Sequence, residues 1–156
     1  MSIIAWDGRT IAADKQATNN GFRHVTTKLH RSRCGVFVFA YTGDQDSAEG
    51  VRHWFEEGAD ADKYPAYQND EKRWARLIVL TEQSMCIYER TPYPLAVEDS
   101  FMAWGAGRDY AIGALACGKS AREAVEVACR FDISCGMGID EIVCRPWAND
   151  PSGDGR

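Results

Sequence analysis

The residues best placed to do chemistry stand at the start of the chain. A small hydroxyl residue, Ser2, lies at the edge of a predicted strand, with an isolated acid and a basic residue close behind it. A serine hydroxyl is a weak nucleophile until a base takes its proton, and the acyl transfer it then performs needs fixed N–H donors for the oxyanion. The usual catalytic signatures are missing elsewhere: there is no GxSxG elbow, no HExxH, no GxxxxGK[ST] and no GxGxxG. His24, His30 and His53 share no metal or triad spacing and read as surface or packing residues. Cys34, Cys86, Cys117, Cys129, Cys135 and Cys144 form no CxxC or zinc-ligand spacing, so no metal or cofactor is expected.

The elements that must position Ser2 follow from the hydrophobic pattern. Ser2 to Trp6 and Thr10 to Ala13 read as strands around an Asp7-Gly8 turn, a strong hairpin signal, so the chain begins inside a sheet. Val25 to Leu29 reads as a strand, and Gly35 to Tyr41 as one that is apolar on both faces and therefore covered by two layers. Ala48, Val51, Trp54 and Phe55 recur at helical spacing within Asp46 to Glu57, with Gly58 past the end. Residues 59–70 read as loop, followed by a short helix at Glu71 to Trp74 and strands at Leu77 to Leu80, Met85 to Tyr88 and Ser100 to Trp104. Helices are expected at Arg108 to Cys117 and Ala121 to Phe131, the second opened by Ser120 with Glu123 placed for a capping box. A strand at Ile139 to Cys144 completes one domain over residues 1–148, before a polar tail, 149–156, that reads as disordered. The order of elements fits an α+β sandwich of four layers, αββα.

Bulk properties narrow the function classes. At 156 residues the chain has room for one core, and 45% hydrophobic with 26% charged residues is ordinary globular composition. A net charge of -5 without a Lys/Arg run offers no footprint for nucleic acid. No stretch approaches a membrane span, and the start resembles no secretion signal, which points to a cytoplasmic protein with reduced, mostly buried thiols.

Five motifs in order, SIIAWDGRTIAADKQAT, TTKLHR, AYTGD, GAGRDYA and FDISCG, resemble the β-type proteasome subunits and the peptidase of the bacterial two-component ATP-dependent protease, most of all their small bacterial and phage relatives. The likeness runs through about Cys144. It implies a C-terminally shortened N-terminal-nucleophile hydrolase fold and a threonine/serine-type peptidase that cleaves peptide or protein substrates. It also implies a homo-oligomeric ring and an AAA+ unfoldase as a candidate partner. Counting back from Asp14 without a gap places Ser2 at the nucleophile position after removal of Met1; with one gap, Met1 would stand there and the site would be silent. Asp14 and Lys28 match the family's active-site aspartate and catalytic lysine. Gly43 matches the glycine whose amide serves the oxyanion, and Asp132 and Cys135 match the pair supporting the terminal amine. Tyr41, two residues before Gly43, is a candidate for the substrate side-chain pocket.

On this reading a freed α-amine, with a pKa of about 7.7 to 8.0, takes the Ser2 proton, Lys28 lowers the pKa of the hydroxyl, and Asp14 holds Lys28 charged and oriented. Two positions depart from the family pattern: Ala106 and Cys135 stand where serine hydroxyls are usual. A small-molecule amidase of the same fold and a catalytically silent ring subunit are the rival readings.

Overall fold

The computed structural model describes residues 2–144. In chain order these form β1 (Ile3–Trp6), β2 (Thr10–Asp14), β3 (Gln16–Asn19), β4 (Phe22–Val25), β5 (Leu29–Arg31) and β6 (Val38–Gly43). Helix α1 (Gln45–Glu56), β7 (Ala75–Leu80), β8 (Met85–Tyr88), β9 (Leu95–Ala96) and β10 (Met102–Gly105) follow, then α2 (Arg108–Ala116), α3 (Ala121–Phe131) and β11 (Ile139–Val143).

The strands make two stacked sheets and a separate hairpin. The first sheet runs β10-β1-β2-β11, the second β5-β6-β7-β8-β9, and β3 pairs with β4 alone. Because successive side chains on a strand point to opposite faces, each sheet has two faces to bury. Ile4, Trp6, Ile11 and Ala13 meet Val38, Ala40, Ile78 and Leu80 between the sheets. On the outer face of the first sheet, Ile3, Ala5 and Ala12 pack under Ala111 and Leu115 of α2 and Ala124, Val125 and Ala128 of α3. On the outer face of the second, Phe39, Leu77 and Val79 pack against Val51 and Trp54 of α1. The order of layers is therefore α, β, β, α, as the sequence pattern requires. Strands β6 and β7, apolar on both faces, are sandwiched between α1 and the opposing sheet.

Polar residues place the ends of these elements. Asp7 Oδ1 accepts from the N–H groups of Arg9 and Thr10, at 3.0 and 2.7 Å, and closes the β1–β2 turn. Its second oxygen accepts from Ala121 N–H at 2.8 Å, pinning that turn to the start of α3. Ser120 and Glu123 form the expected capping box.

Several local expectations change. Val25 to Leu29 is not one strand: β4 ends at Val25 and β5 begins at Leu29. The intervening residues are diverted, with Thr26 N–H bonded to Lys15 C=O at 2.8 Å and the Lys28 ammonium turned inward. No helix forms at Glu71 to Trp74, because the buried Gln68 amide pairs with both backbone groups of Ala75 at 2.8 Å and so starts β7 there. Residues 59–70 contain two short 3-10 turns, Ala61–Lys63 and Ala66–Asn69. All six cysteines are free, yet only Cys135 is buried, and Cys34 and Cys117 are exposed. The expected tail lies outside the described residues, among which no helix is long and apolar enough to cross a membrane.

Candidate active site

Ser2 immediately precedes β1 and is buried, with 3% of its surface exposed. Its carbonyl accepts from Ala106 N–H at 2.7 Å. Opposite it, Gly105 pairs in register with Ile3 and has φ +105, and a Cβ there would run into the Ser2 carbonyl. Two residues on, a Cβ at Gly107 would meet Ala128 Cβ at 2.9 Å and Cys135 Sγ at 3.0 Å. The two glycines of Gly105-Ala106-Gly107 are thus explained by close approach of the first strand and of α3.

Asp14, the last residue of β2, is fully buried, and its carboxylate is saturated. Oδ1 accepts from Ile3 N–H at 3.0 Å and from Lys28 Nζ at 2.6 Å. Oδ2 accepts from the N–H groups of Gln16, at 3.2 Å, and Gly136, at 3.0 Å. Lys28, 4% exposed, donates a second bond to Gln16 C=O at 2.7 Å. Burial pushes the Lys28 ammonium below its ordinary pKa, while the charge of Asp14 and its hydrogen bond oppose that shift. A buried ion pair is tolerated only when the remaining polar atoms are satisfied, as they are on this carboxylate.

Ser2 and Lys28 open onto one cleft of about 320 Å³. One wall is the β3–β4 hairpin and the residues after it, with Ala17, Thr18, Asn19, His24 and Thr26. The other is the end of β6 and the start of α1, from Tyr41 to Asp46. Gly43 has φ +102, and a Cβ would lie 2.7 Å from Trp74 O and 2.9 Å from Ala75 Cα, so only glycine fits this corner. Asp44 caps α1, its Oδ1 accepting from the N–H and the hydroxyl of Ser47 at 2.9 and 2.6 Å. Tyr41 is buried and donates its hydroxyl to Thr27 C=O at 2.8 Å, and burial raises its pKa to about 12.

Asp132 and Cys135 stand behind the cleft instead of in its lining. Asp132 ends α3 and accepts from Ser134 N–H at 2.8 Å. Cys135 is buried with Ile3 and Ala128 in the helical layer, where burial lifts its thiol pKa to about 12 and keeps it neutral. Their loop reaches the site through its backbone. Gly136 N–H binds Asp14, and Ile133 C=O accepts from Gln16 Nε2 at 3.0 Å. The sequence assigns no role to Gln16, and it offers Gly136 only as part of the FDISCG segment, not as a donor to Asp14. A backbone donor carries no side-chain signal, and a glutamine in an otherwise polar stretch gives no sign of being 2% exposed.

The sequence matches no family model and no curated protein. Solved structures do match. The chain superposes on eukaryotic HslV from Trypanosoma brucei with a TM-score of 0.67 at 19% identity, over 91% of this chain and 97% of that one. The chain has the HslV fold. Thiobacillus denitrificans BPH is similar to the same degree, with a TM-score of 0.67 at 19% identity over 91% and 96% of the two chains. The complex of that protein with epoxomicin gives a TM-score of 0.68 at 18% identity, over 94% of this chain and all of the other. This HslV-like architecture is the proteasome-type sandwich implied by the five motifs.

Proposed function

We propose that the chain is a serine-type N-terminal-nucleophile peptidase acting through Ser2 once Met1 is removed. The observation that carries this reading is the convergence of Ser2, Lys28 and Gly43 on one cleft, with Asp14 binding both the Lys28 ammonium and the N–H of the residue after Ser2.

The Ser2 oxygen attacks the peptide carbonyl as its proton passes to the freed α-amine. The Lys28 charge favours the alkoxide, and the Gly43 N–H receives the oxyanion. Collapse of the adduct breaks the C–N bond, the departing amine takes the proton, and water then releases the acyl group by the same route. Among the described residues strand β3 is paired on one edge, by β4, and it contributes Ala17 to Asn19 to the cleft, so an extended peptide can lie along it. Assembly into an oligomer is supported by the exposed, stacked Tyr110 and Phe131 beside the exposed Ile133.

One observation favours a second reading, a silent structural subunit: Ala106, which bonds the Ser2 carbonyl, and the buried Cys135 carry no hydroxyl where the resembled family usually has serines. Peptide hydrolysis by the native chain, abolished in Ser2→Ala and in Lys28→Met, supports the enzyme; turnover that survives Ser2→Ala refutes it.

A further inference from the structure

Gln16 opens β3 and lines the cleft, yet it is buried, while Thr18 and Asn19 further along the strand are exposed. Its backbone is committed to the ion pair: the N–H donates to Asp14 Oδ2 at 3.2 Å, and the C=O accepts from Lys28 Nζ at 2.7 Å. Its side chain reaches a different part of the protein, the loop between α3 and β11, where Nε2 donates to Ile133 C=O at 3.0 Å. A buried amide needs such a partner, and here the partner is 117 residues away. Pairing with Val25 of β4 fixes Gln16 itself.

The loop depends on outside contacts for its shape. Ile133 is exposed and gives it no packing anchor, and Met137 adopts φ +62, a conformation that a non-glycine residue keeps only where its surroundings impose it. Three contacts hold the loop. Cys135 is buried in the helical layer, Lys15 N–H is shared between the C=O groups of Gly136 and Gly138 at 3.1 and 3.0 Å, and Gln16 takes Ile133. Held this way, the loop delivers Gly136 N–H to the same Asp14 oxygen that accepts from Gln16 N–H. Such donors keep a carboxylate ionised, so loss of one weakens its hold on Lys28. The other titratable groups facing the pair are Cys129 of α3 and Cys135 of the loop, whose thiols are lifted by burial to about 11 and about 12. Asp132 and Glu126 act on those thiols, and His24, Asp44 and Asp46 line the cleft in front.

We propose that Gln16 is a positioning residue of the site: its side-chain amide sets the register of the loop after α3, so that Gly136 N–H meets Asp14 and the Asp14–Lys28 pair stays ionised beside Ser2. The reaction it serves is that of the peptidase reading; the coupling itself stands on the loop contacts.

Native protein is compared with Gln16→Met and Gln16→Glu by peptide turnover, by covalent trapping at Ser2 and by exchange of the Gly136 amide in nuclear magnetic resonance. Methionine keeps the length and the apolar bulk but donates nothing, so kcat falls about tenfold, KM stays within about twofold, and Gly136 exchanges about tenfold faster. Glutamate donates to Ile133 C=O only when protonated, and burial beside Asp14 raises its carboxyl above the ordinary range. Its kcat, taken as a ratio to native at each pH, therefore recovers as pH falls from about 8 to about 6. The ratio cancels the titrations of His24, Asp44, Asp46 and Asp132, which the proteins share.

Native kcat and native exchange in Gln16→Met, or a ratio for Gln16→Glu that does not change with pH, overturn the proposal. A native chain that neither cleaves peptide nor takes up the trap refutes the nucleophile. Faster exchange at Gly136 in Gln16→Met then still supports the coupling, and unchanged exchange overturns it.

Discussion

Lys28 Nζ lies 2.6 Å from Asp14 Oδ1 in a region where both side chains are almost wholly shielded from solvent. The ammonium is held by an anion that is itself fixed by three backbone N–H groups, from Ile3, Gln16 and Gly136. Those three donors belong to the first strand, to the start of the β3–β4 hairpin and to the loop before β11. The pair therefore couples the position of Ser2 to three separate parts of the chain.

Breaking this pair leaves a buried charge without its partner. Lys28→Met should destabilise the protein by about 3–5 kcal/mol. Asp14→Asn should do so to a similar degree, since its amide group must face the N–H donors of Gln16 and Gly136. Urea denaturation of the double variant should show less loss than the sum of the singles, by about 0.5–3 kcal/mol. Strict additivity would mean that the two charges do not support each other.

Gly43 is constrained by backbone, not by packing choice. Gly43→Ala adds a Cβ against Trp74 O and Ala75 Cα at positive φ, and should cost about 1–3 kcal/mol in thermal unfolding together with any peptidase activity. Gly113, exposed within α2 with open space around it, is the contrasting case. Gly113→Ala should stabilise by about 0.5–1 kcal/mol and leave turnover unchanged.

Ala106 donates its N–H to the Ser2 carbonyl and is exposed at the site. A hydroxyl there would restore the group that the motif comparison finds missing. Ala106→Ser should raise kcat/KM by about fivefold, the worth of one ordinary hydrogen bond, with little effect on thermal stability. A fall in kcat/KM would show that the site is built around alanine.

The thiols should differ in reactivity and in their effect on stability. Burial holds Cys135 protonated up to about 12, whereas the hydroxyl of Ser32 draws the exposed Cys34 below the ordinary value. Alkylation of the native protein, read by peptide mass mapping, should mark Cys34 and spare Cys135. Because the folded pKa values of Cys135 and Tyr41 both lie near 12, above the ordinary 9 and 10, the unfolded chain loses those protons first. Their contribution is complete below those ordinary values and fades as pH rises through them toward 12. Lys28 acts in the opposite sense, since its pKa is lowered. Cys135→Ala should flatten the alkaline loss of stability measured by urea midpoints.

How much of this was legible in the sequence depends on what carries the signal. Strand β6 could be read because Val38, Phe39, Ala40 and Tyr41 leave no polar face, and α3 because Ser120 and Glu123 mark its start. The segment after β4 was misread because Val25 and Thr26 favour strand locally, while the inward turn of Lys28 toward Asp14 is a tertiary demand. The expected helix at 71–74 lost to Gln68, a polar side chain whose burial against Ala75 no local pattern announces. At the site, Asp14, Lys28 and Gly43 stood out through motifs, while Gln16 and Gly136 act through backbone groups.

Whether Ser2 becomes a free N-terminal nucleophile is tested most directly by intact-mass spectrometry with and without a covalent trap for N-terminal nucleophiles. The expected result is a native chain lacking Met1, a covalent adduct located at Ser2, and no adduct in Ser2→Ala. A chain that retains Met1, or an adduct that persists in Ser2→Ala, would contradict it.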